Sequence, residues 1–319
     1  MQRIGELISV DCQSANLMTP SLLIQGGSMK TFAVLFLVLS SVQSAFALPV
    51  NTRVTLEEIQ ALTWNSSSAY DFEGIVKLDN CSGSLVRFEH SKDSDKGMVM
   101  TNGHCVPTGM FGGFIKPGEH LIRKPVKRSF RFLNRDGSLS QNSVVSTQIL
   151  FATMTGTDVA LYELELSYTQ IKTRFDVDAL TLDANRPREG EAIEILSGYW
   201  QRGYSCQIDG FVFKMKEDAY TWLDSIRYSR SGCKTIGGTS GSPILSVNTR
   251  KVIGVNNTGS EDGKQCTMNN PCEVSADGAI YAEKGLSYGQ QTYRFYSCLN
   301  ADGALDVRVR GCALVQSGN

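Results

Sequence analysis

From about Asp71 onward the chain is a succession of short apolar stretches broken by Gly, Asn, Asp and Ser. Residues 74–78, 84–88, 98–101, 144–151, 159–164, 192–196, 211–213, 243–247 and 251–255 are the clearest of them. Stretches of this length, rich in Val, Ile, Leu and Phe and separated by turn formers, read as β-strands, and few long helical patterns compete with them. The pattern limits the fold to an all-β barrel or sandwich. It shows no repeat of fixed period and no low-complexity linker. Residues 183–190, with Pro187 and several charges, read as the connection between two β units.

The start of the chain has a different character. Residues 31–39 are apolar, Met29 and Lys30 precede them, and Ala45-Phe46-Ala47 closes the segment. A basic start, a short apolar run and an A-x-A site make a secretory signal peptide over residues 1–47, with residues 1–28 an upstream extension before the true start at Met29. The apolar run is short for a membrane span, so no membrane association is expected after signal removal. The mature chain would begin near Leu48 and have roughly 270 residues, enough for one large or two small cores. Thr55 and Glu58 have capping-box spacing, so residues 48–70 are expected to hold a short helix, as a docked arm or a pro-segment.

Export changes how the cysteines read. Cys12 lies in the part expected to be absent from the mature protein. That leaves Cys81, Cys105, Cys206, Cys233, Cys266, Cys272, Cys298 and Cys312. An even set in an exported chain points to disulfides, and the simplest pairing is sequential, although spacing alone does not fix it. Zinc ligation is the rival, and it lacks a C-x-x-C or Cys/His cluster. The formal net charge of -1 gives no footprint for a nucleic-acid partner.

One stretch carries chemistry. Residues 237–244 read GGTSGSPI, with Ser240 between small residues on a tight turn. The N–H groups of Gly238 and Ser240 would face one concavity and stabilise an oxyanion formed at Ser240. A serine nucleophile needs a base and an orienting acid. Of the three histidines, His90 and His120 lie in polar stretches and read as solvated. His104 lies in MVMTNGHC, directly after an apolar strand and beside Cys105. Asp158 precedes the apolar strand VALYEL, where a buried acid is costly unless something such as a histidine N–H satisfies it.

The order His104, Asp158, Ser240, with CSGSLV at 81–86, TNGHC at 101–105, DVAL at 158–161 and GTSGSP at 238–243, resembles the chymotrypsin-like (trypsin-fold) serine proteases. The GTSGSP form is similar to a bacterial branch that includes the glutamyl endopeptidases. The resemblance covers about residues 70–260. It implies two antiparallel six-stranded-type β-barrels with the active site in the cleft between them. Residues 71–182 would form the first barrel and residues 183–260 the second. Residues 261–319 would be a disulfide-rich completion and extension of the second barrel. It also implies a 81–105 bridge, a Ser-His-Asp endopeptidase acting on protein or peptide substrates, no metal or organic cofactor, a monomer, and a secreted or periplasmic location.

Two departures bear on that resemblance. Animal relatives carry an aspartate before the nucleophile, which pairs with a freed amino terminus on activation; here Thr239 stands there, so that switch cannot operate in that form. Glutamyl endopeptidases carry a histidine on the strand lining the specificity pocket; here Asn256 falls at that place in GVNNTG, which removes the best support for glutamate specificity. Lys234, near the expected pocket floor, reads equally as a loop lysine in solvent. A basic cluster of Arg123, Lys124, Lys127, Arg128 and Arg131 reads as a solvated hairpin face. The alternative reading of the whole chain is a catalytically silent binding protein on a protease scaffold.

Overall fold

The computed structural model describes residues 70–108, 113–228 and 232–315. The signal-peptide reading of residues 1–47 and the helix expected near Thr55 lie outside them.

The first half of the chain folds as β1 (Ile75–Lys77), β2 (Ser82–Arg87), β3 (Lys96–Thr101), β4 (His120–Pro125), β5 (Ser129–Leu133), β6 (Leu139–Thr153), β7 (Val159–Ser167), α1 (Tyr168–Phe175) and β8 (Leu180–Thr181). Antiparallel pairings run β1–β2–β3–β7–β6–β5 and return to β1, which closes a six-stranded barrel. The 15-residue β6 is long enough to pair β5 along one half and β4 along the other, with register shifts in its pairing with β7. The basic residues 123–131 therefore do not form a hairpin, because β4 and β5 both pair with β6 and not with each other.

The second half contributes β9 (Ala192–Ser197), β10 (Arg202–Glu217), β11 (Tyr220–Tyr228), β12 (Pro243–Ser246), β13 (Val252–Gly259), β14 (Cys272–Val274), β15 (Ile280–Tyr281) and β16 (Ser287–Gln291). Here the ring runs β9–β10–β11–β16–β13–β12 and back to β9, again antiparallel and closed. The strand β16, from the C-terminal part of the chain, is thus needed to complete the second ring. Closure leaves neither ring an unpaired edge.

Helix α1 is the main element that the strand pattern overlooks. Its start is written in sequence: Ser167 accepts from Gln170 N and Gln170 Oε1 accepts from Ser167 N, a reciprocal capping box.

One apolar cluster draws on both barrels, with Val86, Met100 and Leu161 from the first and Leu196, Leu245 and Val255 from the second. Phe295, fully buried in the 3-10 helix Tyr293–Cys298, packs edge-on against Phe88. Burying a side chain of that size contributes about 1.5–3 kcal/mol. Four disulfides join Cys81 to Cys105, Cys206 to Cys233, Cys266 to Cys272 and Cys298 to Cys312. This is the sequential pairing.

Candidate active site

His104 sits in the turn that follows β3, and the Cys81–Cys105 bridge ties this turn to the start of β2. Gly103 must be glycine there, since a Cβ would lie 2.0 Å from the Thr153 carbonyl oxygen. Asp158 precedes β7 with its side chain fully buried, and His104 satisfies it twice. The His104 Nδ1 is 2.7 Å from Oδ2, and the His104 backbone N–H donates to Oδ1 at 3.0 Å. Asn102 Nδ2 donates to the Asp158 carbonyl at 2.8 Å, which fixes the turn from its other side. With a carboxylate on Nδ1, the imidazole carries its proton there and leaves Nε2 free to accept one.

Ser240 lies just before β12. It shares with His104 and Asp158 the lining of one cleft of about 680 Å³. Its hydroxyl donates to the Asn257 carbonyl at 3.1 Å. That carbonyl is available because the β13–β16 register shifts between Asn256 and Thr258, leaving Asn257 as the extra residue of a bulge.

The backbone of the Ser240 turn distributes its donors unevenly. Thr239 N donates to Ile236 O, Gly241 N to Asn256 O, and Ser242 N to Thr239 O, all within 3.0–3.1 Å. The N–H groups of Gly238 and Ser240 have no hydrogen-bond partner among the described residues. These are the two donors expected to receive an oxyanion. Gly238 holds φ +88°, and a Cβ there would meet the Tyr199 ring at 2.8 Å, so no other residue fits. Thr239 is fully buried and uncharged, and its hydroxyl accepts from Ile236 N at 3.4 Å.

A trypsin-like peptidase domain matches residues 81–255, more than half of the chain and a span that includes His104, Asp158 and Ser240. The chain belongs to the trypsin-like peptidase family. Similar solved structures include the MamO protease domain from Magnetospirillum magneticum, 11% identical with a TM-score of 0.42, covering 70% of this chain and 94% of that one. The thermostable serine protease AL20 from an extremophilic microorganism is 17% identical at a TM-score of 0.41, covering 70% and 92%. Nocardiopsis protease is 16% identical at 0.40, covering 69% and 92%. No protein of the curated set matches. As a trypsin-like peptidase the chain has a serine-protease fold, and that fold implies protein substrates. Among the described residues no helix is long and apolar enough to cross a membrane.

The electrostatics of the trypsin-like cleft centre on His104. Burial pulls its pKa down, but the charge and hydrogen bond of Asp158, helped by the charge of Glu217, outweigh that and raise it above the ordinary histidine value. Glu217, at the end of β10, is a second buried carboxyl on the cleft. Its Oε1 accepts from Asn269 N at 2.8 Å, while Oε2 is buried with no hydrogen-bond partner among the described residues. Burial pushes its pKa up. Glu217 stands outside every motif of the sequence. Alternation along β10 would have flagged it, since Met215 faces inward and Glu217 shares its face.

The other candidates separate clearly. His90 and His120 are exposed. Lys234 is exposed and lines the same cleft as Ser240. Arg128 leaves the solvated cluster altogether, for its side chain is only 9% exposed and donates to the Cys105 carbonyl. The sulfurs nearest His104 are bonded to each other, so they are not thiolate ligands for a metal.

Proposed function

We propose that this chain is a secreted serine endopeptidase working through a Ser240–His104–Asp158 triad and an acyl-enzyme. Asp158 holds the imidazole in the tautomer that presents Nε2 to the cleft and stabilises the imidazolium when it forms. The Ser240 hydroxyl leaves the Asn257 carbonyl by rotation about χ1, a ps–ns motion for a side chain, and gives its proton to His104 as Oγ attacks the peptide carbon. The N–H groups of Gly238 and Ser240 receive the oxyanion. His104 then protonates the leaving amine, and water reverses the sequence on the acyl-enzyme. The four disulfides and the A-x-A segment support export to an oxidising compartment.

The observation that carries this reading is the pair of N–H groups flanking Thr239 that have no partner among the described residues, on a cleft that also holds an aspartate-bound histidine. The competing reading, a silent binding protein, draws on the Ser240 hydroxyl being turned to Asn257. A fluorophosphonate probe on the mature protein decides between them. Labelling of Ser240, lost in Ser240→Ala together with a fall in kcat of roughly 10⁴ or more, is expected. A folded protein that neither labels nor hydrolyses any peptide library is the silent scaffold.

A further inference from the structure

The turn carrying Ser240 is held from behind by uncharged donors. The Trp200 indole Nε1 donates to the Gly237 carbonyl at 2.7 Å. A peptide's C=O and N–H point in opposite directions, so this bond turns the Gly238 N–H away from the indole. The next carbonyl, of Gly238, accepts from Ser82 Oγ at 3.0 Å. The carbonyl of Ser240 accepts from Ser82 N at 2.8 Å. Three carbonyls of one turn thus rest on two residues distant in sequence.

The hydroxyl protons can be assigned by elimination. The N–H groups of Trp200 and Tyr199 donate to Ser197 Oγ (3.2 Å) and Ser82 Oγ (3.1 Å) respectively. The two hydroxyls are 3.0 Å apart, and the Gly238 carbonyl can only accept. Each proton is used once if Ser197 donates to Ser82 and Ser82 donates to Gly238. Ser82 and Ser197 are both fully buried, so water does not compete. Trp200, by contrast, is 46% exposed, and burial of its ring does not account for its place here.

We propose that Trp200, which sets the peptide bearing the Gly238 N–H, and Ser82, which holds the peptides on either side of the one bearing the Ser240 N–H, are positioning residues that preset this donor pair, so that the oxyanion site stands formed without an ion pair beside the nucleophile. Thr239 fits this arrangement, since a charge opposite it would be buried without a counter-ion. The inference rests on the proteolytic reading above.

The test compares wild type with Trp200→Phe, Ser82→Ala and the double variant, each checked for an unchanged melting profile. Trp200→Phe keeps an aromatic side chain at this exposed position but removes the indole N–H along with the pyrrole ring; Ser82→Ala is the second route should it fail to fold. The expected result is a kcat lowered roughly ten- to a hundredfold, short of the loss from deleting a hole donor outright, with KM nearly unchanged. A peptide aldehyde adds a second readout. Ser240 Oγ bonds to its carbon, the hydroxyl proton passes to His104, and the aldehyde oxygen becomes an anion in the hole. Its affinity should fall in step with kcat/KM. An active wild type whose variants all keep their kcat and aldehyde affinity overturns the inference alone, as does a rise in KM with kcat intact. A wild type inert to both substrate and fluorophosphonate overturns the proteolytic reading, and the inference with it.

Discussion

Arg128 donates to the backbone carbonyl of Cys105 at 2.7 Å, one residue past the histidine of the cleft. Its guanidinium also reaches Tyr162 Oη at 3.2 Å, Asn80 Oδ1 at 2.7 Å and the Asp79 carboxylate. A planar fork joins four groups around the Cys81–Cys105 bridge, which an ammonium cannot do. Arg128→Gln should cost about 1–3 kcal/mol, and Arg128→Lys should recover only part of it. Denaturant midpoints measure the loss, and kcat should fall with it as the His104 turn loosens. A variant as stable as the parent would show that the turn is anchored without Arg128.

The activity should rise with pH as His104 loses its proton, with a midpoint above about 6.5, the ordinary histidine value. The direction follows from Asp158 and Glu217 outweighing burial. Glu217→Gln removes one of the charges that raise the pKa, so its acid limb should move to lower pH. A limb that stays in place, or moves up, contradicts the coupling. The same pair bears on stability. Its contribution is full below the unfolded histidine pKa and is lost as pH rises through the higher folded one.

Opening the bridge beside the histidine should be costly in both stability and rate. Replacing Cys81 and Cys105 together by Ala should remove about 2–5 kcal/mol. Peptide mapping of the unreduced mature protein should recover these two cysteines linked. Free thiols at both positions in exported protein would remove the anchor assigned to the His104 turn.

Activation should not require a buried amino terminus. Thr239 is uncharged, fully buried and engaged with Ile236 N. A protein beginning at Leu48 and another beginning at Asp71 behind a Gly-Ser tail should both have a formed oxyanion site and label at Ser240. Low activity confined to the Leu48 form would indicate occupancy of the cleft by residues 48–70. Activity only with one defined, untailed terminus would show a terminus-dependent switch and sink the idea.

Much of this site was legible because its chemistry is local in sequence. Ser240 stands among glycines, His104 directly follows a strand, and Asp158 directly precedes one, so each announces itself within a few residues. The all-β pattern was legible for the same reason: β3 centres on the apolar run 98–100 and β7 opens on the run 159–162. What escaped depends on contacts distant along the chain. Trp200 and Gly237 are 37 residues apart, and Ser82 and Gly238 are 156 apart. No local pattern links such pairs. Arg128 stands among four other cations in the sequence, and only the fold brings Asp79 and the Cys105 carbonyl to its side chain. Residues 261–319 are expected to complete and extend the second barrel, but SYGQQ has too little apolar character to mark β16 as the strand that does so, although all five of its residues are buried between β11 and β13.

The two bonds from Ser82 have a mechanical consequence. Ser82 belongs to the first barrel, and the carbonyls it holds belong to the turn before β12, within the second. The nucleophile's turn therefore acts as a gauge of alignment between the barrels. A slip of one against the other by an ångström would break both bonds while leaving every strand pairing within each barrel intact. Along a denaturant gradient, turnover would fade while the β-sheet signal persists, making hydrolysis the more sensitive reporter of how the two halves are seated.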